Sequence, residues 1–395
     1  MRTLLHNAKL VLPDSLIEHG WLLIEGECIL DLGEGDTYPN NGDGTYIIDA
    51  HGAFLMPGLI DLHCDAIERI VEPRPGVHFE LNLALQQADW RLAGSGITTE
   101  FHAVSLDDGE FSVRSDRFVR DLYQALQVET DLLIHHKLHV RLELSSEKGL
   151  NVMAQMINAH ELDMVSLMDH SPGQGQYASE QSFREYVARS TNRSYAEIDD
   201  LLERKRRQAA AIPARIEYIT RLAREARVAI ATHDDDSVAK VEQWPSLGVT
   251  LCEFPTKIEA ARKAHELGLA VCMGAPNVVR GQSSGGNLSA TAAIQAGVTT
   301  VLCSDYYPTA MLSAIFTLEA RGTATIPQAT RLVTLNPAQA VGLGRDFGSL
   351  EVGKVADAIL VKLDSQRVPL VMRMFVGGQE CIARGGNSQR KSGTV

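Results

Sequence analysis

The sequence predicts an α/β protein: a (β/α)8 barrel joined to a small β-sandwich domain assembled from both ends of the chain. Three observations carry that prediction. Eight short apolar runs alternate with amphipathic helical patterns through the middle of the chain. Strand-and-turn texture is concentrated at the two ends. Nearly every apolar run in the middle finishes on polar or charged side chains, as strands of a barrel do at its catalytic face.

The elements follow in order. AKLVLP, GWLLIEGECILDLG and TYIIDAHGAFLMPG, within 3–58, read as short strands broken by Gly, Asn and Asp. GSLEVGKVADAILVKLD and VPLVMRMFVGG, near the C-terminus, have the same texture. Residues 1–57 and 342–395 are therefore expected to share one β domain. The polar tail GGNSQRKSGTV should be mobile. Between these ends, 58–341 should form the barrel, with strands in GLIDLHCD, GITTEFHAVS, KLHVRLEL, MVSLMDH, RVAIATHDDD, GVTLCEFP, LAVCMGAP and TTVLCSDYYP. A doubly wound open sheet would normally show GxGxxG after its first strand, and none stands there. Residues 171–226 far exceed an ordinary barrel loop and read as a helical insertion with a break at Pro213. That insertion is either a lid bringing Gln174, Gln176 or Tyr177 to a substrate, or a solvated addition serving as a contact in a homo-oligomer.

Composition narrows the function. With 395 residues, 45% of them hydrophobic, the chain can bury a large core. A net charge of −13 argues against nucleic acid or a basic membrane-surface role. No run reaches the roughly 18 apolar residues of a membrane span. The N-terminus lacks the pattern of a secretory signal, and the six cysteines have no paired spacing; four sit inside apolar runs, like buried reduced thiols. A cytoplasmic protein is expected.

The polar strand ends are His63 and Asp65, Glu143, Asp169 and His170, His233 and Asp235, Glu253, Asn277 and Asp305. In a closed barrel they converge on one mouth. His63 and Asp65 are two apart, so strand geometry points them the same way; His139, Arg141 and Glu143 likewise share a face. Imidazoles and carboxylates with no matching cysteine set suit one or two divalent ions: Zn²⁺, with Mn²⁺ or iron as alternatives. The expected ligands are His63, Asp65, Glu143, His170, His233 and Asp305, with Glu253 in reserve. Such an ion lowers the pKa of bound water to about 7, and a nearby carboxylate can take its remaining proton. Taken singly, each histidine is more often a hydrogen-bonded structural group than a ligand. The set is what points to metal.

PGLIDLHCD, SDYYP, TLNPAQAVGL and GSLEVGKVADAILV together resemble the amidohydrolase superfamily, over nearly the whole chain. The resemblance implies one or two metals in a (β/α)8 barrel, with a β-sandwich built from both termini. Its usual first motif, His-x-His, is His63-x-Asp65 here. That departure, together with ERIVEPRPGVHF, LMDHSPGQGQY, HDDDS, CEFPT and MGAPNVVRGQSSGGN, is similar to one branch of the superfamily. The branch implies hydrolysis of a ribose 5-triphosphate bearing a phosphonate at C1, releasing pyrophosphate and leaving the 5-phosphate. Ala66, Ile70 and Ser284 depart from the Asn, His and His common in it.

Phosphoryl transfer depends on positioning and on neutralising oxygen charge. Arg69, Arg74, Arg141 and Arg280 lie at or just beyond strand ends, and Arg74, Arg141, Arg280, Gln174 and Asn277 are the expected substrate contacts. Glu143 is expected to bridge two ions and Asp305 to shuttle a proton. The superfamily takes its two later histidines from strands five and six, whereas the count here puts His170 and His233 on four and five. Glu253 is then the alternative ligand. Two rival readings remain: a deaminase or deacylase acting on a C–N bond with the same metals, and a non-catalytic scaffold retaining the fold.

Overall fold

The computed structural model describes residues 1–38, 44–74, 76–107, 115–170, 179–190, 193–283 and 287–384. The C-terminal tail, Ser284 and the lid candidates Gln174, Gln176 and Tyr177 lie outside the described residues.

Five strands open the chain: β1 (Arg2–Val11), β2 (Leu16–Glu25), β3 (Cys28–Glu34), β4 (Tyr46–Asp49) and β5 (Phe54–Pro57). Eight follow at long intervals: β6 (Leu59–Cys64), β7 (Ile97–Leu106), β8 (His135–Glu143), β9 (Met164–Met168), β10 (Ala229–His233), β11 (Leu251–Glu253), β12 (Ala270–Gly274) and β13 (Val301–Cys303). Three close the chain: β14 (Ala358–Leu363), β15 (Pro369–Val376) and β16 (Gln379–Ala383).

The end strands form one mainly antiparallel sheet in the order β16-β15-β14-β5-β1-β2-β3, with β4 added on β1. The two ends of the chain meet where β14 pairs antiparallel with β5, Leu360 opposite Leu55. Leu5, Leu10, Leu22, Ile24, Leu55 and Phe375 fill a core of its own. Ile359, Val361, Val371 and Met374 belong instead to the large core shared with the barrel. Alternation along β14, with Ile359 and Leu360 on opposite faces, thus seats the sheet against the barrel.

The middle strands pair in parallel and in chain order from β6 to β13. All eight expected runs form strands, so His170 and His233 do follow or end the fourth and fifth. An isolated parallel bridge, Cys64 to Asp305, brings the last strand back to the first. Two backbone hydrogen bonds make this seam, Asp305 N to His63 O and Asp65 N to Asp305 O, both 2.9 Å. Ile60, Leu62, Phe101, Met164, Ala231, Leu251, Cys272, Val301 and Cys303 pack inside the barrel. A strand with such an interior face and helices over the other is buried on both sides, and all ten residues of β7 are buried.

The long polar segment contains the helices Glu180–Ser190, Tyr195–Gln208 and Ile212–Ala226. A capping box starts the second: Ser194 Oγ accepts from Glu197 N, and Glu197 accepts from Ser194 N at 2.7 Å. Pro213 lies in the first turn of the third, where its missing N–H costs nothing. That third helix packs against the helix Glu147–Asn158 and against β10, as a barrel helix does. The first two instead share a small core of Phe183, Val187, Ile198, Leu201 and Leu202. No helix of the described residues is long and apolar enough to cross a membrane. Cys64, Cys252, Cys272 and Cys303, the cysteines of the apolar runs, are buried free thiols.

Candidate active site

The parallel strands deliver their last residues to one mouth. His63 is the next-to-last residue of β6, and its Nδ1 donates to Glu253 Oε1, at the end of β11, at 3.0 Å. Glu253 Oε2 accepts from Ser166 Oγ of β9 at 2.6 Å and lies 3.9 Å from His139 Nε2 of β8. His139 is fixed from behind, Nδ1 donating to Leu62 O at 2.9 Å. Burial pushes its imidazolium down to about 3, against the pull of Glu253, so the ring is neutral. His63, His139 and Glu253 can each offer an atom within 4.8 Å of the others.

A second cluster, His170, His233 and Asp234, meets the same condition. His170 Nδ1 sits 3.1 Å from Glu143 Oε2, and its Nε2 sits 3.5 Å from Asp234 Oδ2. Burial opposes charge on His170, but Asp234 and Glu143 outweigh it and lift its pKa to about 9. Burial would raise the Glu143 carboxyl; Lys205 and then His170 hold it well below the ordinary range instead. The clusters adjoin: the rings of His63 and His233 lie 5.5 Å apart, and the Phe254 ring packs edgewise on both. His233 Nδ1 and Asp234 Oδ2 are 3.1 Å apart, both buried and without a hydrogen bond. An imidazole nitrogen and a carboxylate oxygen facing each other in that way are donor atoms suited to a cation.

Asp305 follows β13 with φ at +58°. Burial, then the neighbouring Asp65, lifts its carboxyl to about 7, while Arg141 acts the other way. A Cβ added to Gly274, at the end of β12, would sit 3.5 Å from Asp305 Oδ2 and 3.7 Å from Asn277 Nδ2, so these two side chains share one corner.

Of the residues expected from sequence, His63, Glu143, His170, His233 and Asp305 are therefore drawn together, with Asp65 at the seam and Asn277 beside Asp305. Arg141 is buried and donates through Nη2 to Ala103 O. Arg280 is exposed, its Nη1 3.3 Å from the Tyr306 hydroxyl. Arg69 and Arg74 are exposed, with Arg74 held in a turn by a bridge to Val77. Gln174 lies outside the described residues. Sequence reading passed over His139 and Asp234 as ligands, and over Ser166 and Lys205. His139 shares a face with Glu143, and that signal was present.

The amidohydrolase family profile matches residues 208–384. Over 368 residues the chain is 35% identical to the alpha-D-ribose 1-methylphosphonate 5-triphosphate diphosphatase of Escherichia coli K12, covering 90% of this chain and 94% of that one. It therefore belongs to the amidohydrolase family of metal-dependent hydrolases. More distant is the imidazolonepropionase of Alkaliphilus metalliredigens, 26% identical, with 87% of this chain and 84% of that one covered. The fold is shared with 5-methylcytosine deaminase from Klebsiella pneumoniae, with a TM-score of 0.65, 15% identity and 99% of both chains aligned.

Proposed function

We propose that this enzyme hydrolyses the 5-triphosphate of α-D-ribose 1-methylphosphonate 5-triphosphate, or a close relative, to the 5-phosphate and pyrophosphate in phosphonate degradation. The observation that carries the reading is the 35% identity, over nine-tenths of the chain, to a relative bearing that name. The composite sheet of 1–57 and 342–395 would serve as a rigid base for a catalytic barrel of 58–341.

His63, Asp65, Glu143, His170, His233 and Asp305 would hold one or two divalent ions, with Glu253 and His139 close enough to join them. Zn²⁺ suits the mixed imidazole and carboxylate donors, as do Mn²⁺ and iron. When bound, such ions supply Lewis-acid stabilisation of phosphoryl oxygens and acidify water.

The chain's own groups divide the remaining work. Glu143 turns Oε2 toward His170, where it would ligate an ion and, as expected from sequence, bridge two, while Lys205 and Ser145 hold Oε1. Asp305, with a pKa of about 7, can take a proton from attacking water at neutral pH. Arg141 places a buried positive charge near enough to act on Asp305, and it would help to offset phosphoryl charge. Asn277 borders the same corner, and with the exposed Arg74 and Arg280 it would contact the phosphates. The buried free thiols suit the reducing cytoplasm.

Incubating metal-replete protein with the ribosyl triphosphate should release pyrophosphate, and a chelator should stop it. Absence of pyrophosphate, with ammonia released from a C–N substrate, would replace this reading with a deaminase.

A further inference from the structure

Asp61 and Glu100 sit directly opposite each other on β6 and β7, and Cys64 sits opposite His102. All four are buried, Asp61 and Glu100 completely. Neither oxygen of Glu100 has a hydrogen-bond partner, nor has Asp61 Oδ2. Two carboxylates supply no donor to each other, so the pair is costly unless a proton or a cation lies between them. Asp61, Cys64 and Glu100 each bring a ligand atom within 4.8 Å of the others.

A second observation points into the same place. Cys64, Glu100 and His102 line a cavity of about 10 Å³ under the helices Ala66–Val71 and Leu81–Gly94, room for one water-sized body. His136 Nε2 lies 3.0 Å from Asp89 Oδ1, and His102 Nε2 lies 2.8 Å from His136 Nδ1. The carboxylate accepts from His136 Nε2–H, and the two imidazoles share one hydrogen bond between His136 Nδ1 and His102 Nε2.

We propose that Asp61, Cys64 and Glu100 form a structural site for a borderline-soft divalent ion such as Zn²⁺, separate from the mouth. A water in the cavity would complete four-coordination. Loading forms a bond to the Cys64 sulfur as its S–H breaks, and the displaced protons pass to solvent. The ion would clamp β6 to β7. Asp61 Oδ1 also accepts from Ser304 N at 3.0 Å, which extends the clamp to the seam. Cys64 stands between His63 and Asp65, and Ser304 precedes Asp305, so the clamp would hold three mouth groups in place.

The readouts are metal content and spectrum, so the outcome does not depend on the proposed reaction. The mouth set contains no cysteine, so cobalt-substituted protein should show a thiolate-to-cobalt charge-transfer band from this site alone. The band should vanish in Cys64→Ser, and Glu100→Gln should hold one metal fewer per chain. Fully cobalt-loaded wild-type protein without the band would overturn the proposal, and that arm requires no variant to fold. So would a band that survives Cys64→Ser, or metal content unchanged in Glu100→Gln.

Discussion

Lys205 Nζ lies 3.2 Å from Glu143 Oε1, and each side chain is only 3% exposed. The added helix Tyr195–Gln208 thus reaches the mouth with a cation, and Ser145 Oγ completes the contact by donating to Glu143 at 2.9 Å. Removing one partner of a buried ion pair leaves the other uncompensated, typically at about 3–5 kcal/mol. Lys205→Met should cost on that order in metal-free protein. The cost should be smaller with ions bound, because they would compensate Glu143 in its place. Urea unfolding with and without chelator measures the difference. Equal losses in both states would show that Glu143 meets no metal, and adding Glu143→Gln to the metal-free variant should recover most of the stability.

That pair shows where sequence reading ran short. The run ERKRRQ reads as a solvated charged face, and most of it is. Lys205, however, continues the buried stripe Ile198, Leu201 and Leu202 at helical spacing, so the signal lay in the period and not in the composition. The barrel was legible because each strand is an apolar run ending in a polar residue. Glu253 was visible as a strand end, but its partner His63 lies 190 residues away, and only closure of the barrel sets them face to face. His102 and Glu100 were hidden differently. They occupy a strand buried on both faces, where alternation carries no information about which polar group meets which.

Glu253 ties two strands' imidazoles together, accepting from His63 directly and from Ser166, which also touches His139 at 2.6 Å. Glu253→Gln places an NH₂ where one of those donors now points, so one contact must be lost. Metal affinity should fall roughly 10–100-fold, the usual cost of disturbing a ligand or its supporting shell. Competition with a chromophoric chelator reads this directly, with circular dichroism to confirm the fold. Unchanged affinity would remove Glu253 from the metal centre.

His170 makes metal-free stability depend on pH. Its folded pKa, about 9, stands above the unfolded value of 6.5. The contribution is therefore complete below pH 6.5 and is lost as pH rises through 9, roughly 3 kcal/mol in all. Glu143 has the opposite sign: its pKa is depressed, so its share is present above the unfolded carboxylate value of 4.5 and lost as pH falls. Urea midpoints of chelated protein should decline between pH 6.5 and 9. Above pH 7, as Asp305 finishes titrating, the decline should be much smaller in His170→Asn. A parallel decline in the variant would place the titrating group elsewhere.

Asp305 allows the proton role to be tested with little disturbance of the seam. The barrel closes there through the backbone, Asp305 N to His63 O and Asp65 N to Asp305 O, so the side chain is free to change. Its φ of +58° is a conformation that Asn tolerates and most other side chains resist. Asp305→Asn should therefore keep the fold, with stability within about 0.5 kcal/mol of wild type. An amide cannot take the proton of attacking water, so turnover should fall roughly 10²–10⁴-fold. Asp305→Ala should lose the same activity and, in addition, about 1–2 kcal/mol of stability from the left-handed backbone. Pyrophosphate release and urea midpoints on both variants separate the two effects. Near-normal turnover in Asp305→Asn would rule out the proton role, whatever the midpoints show.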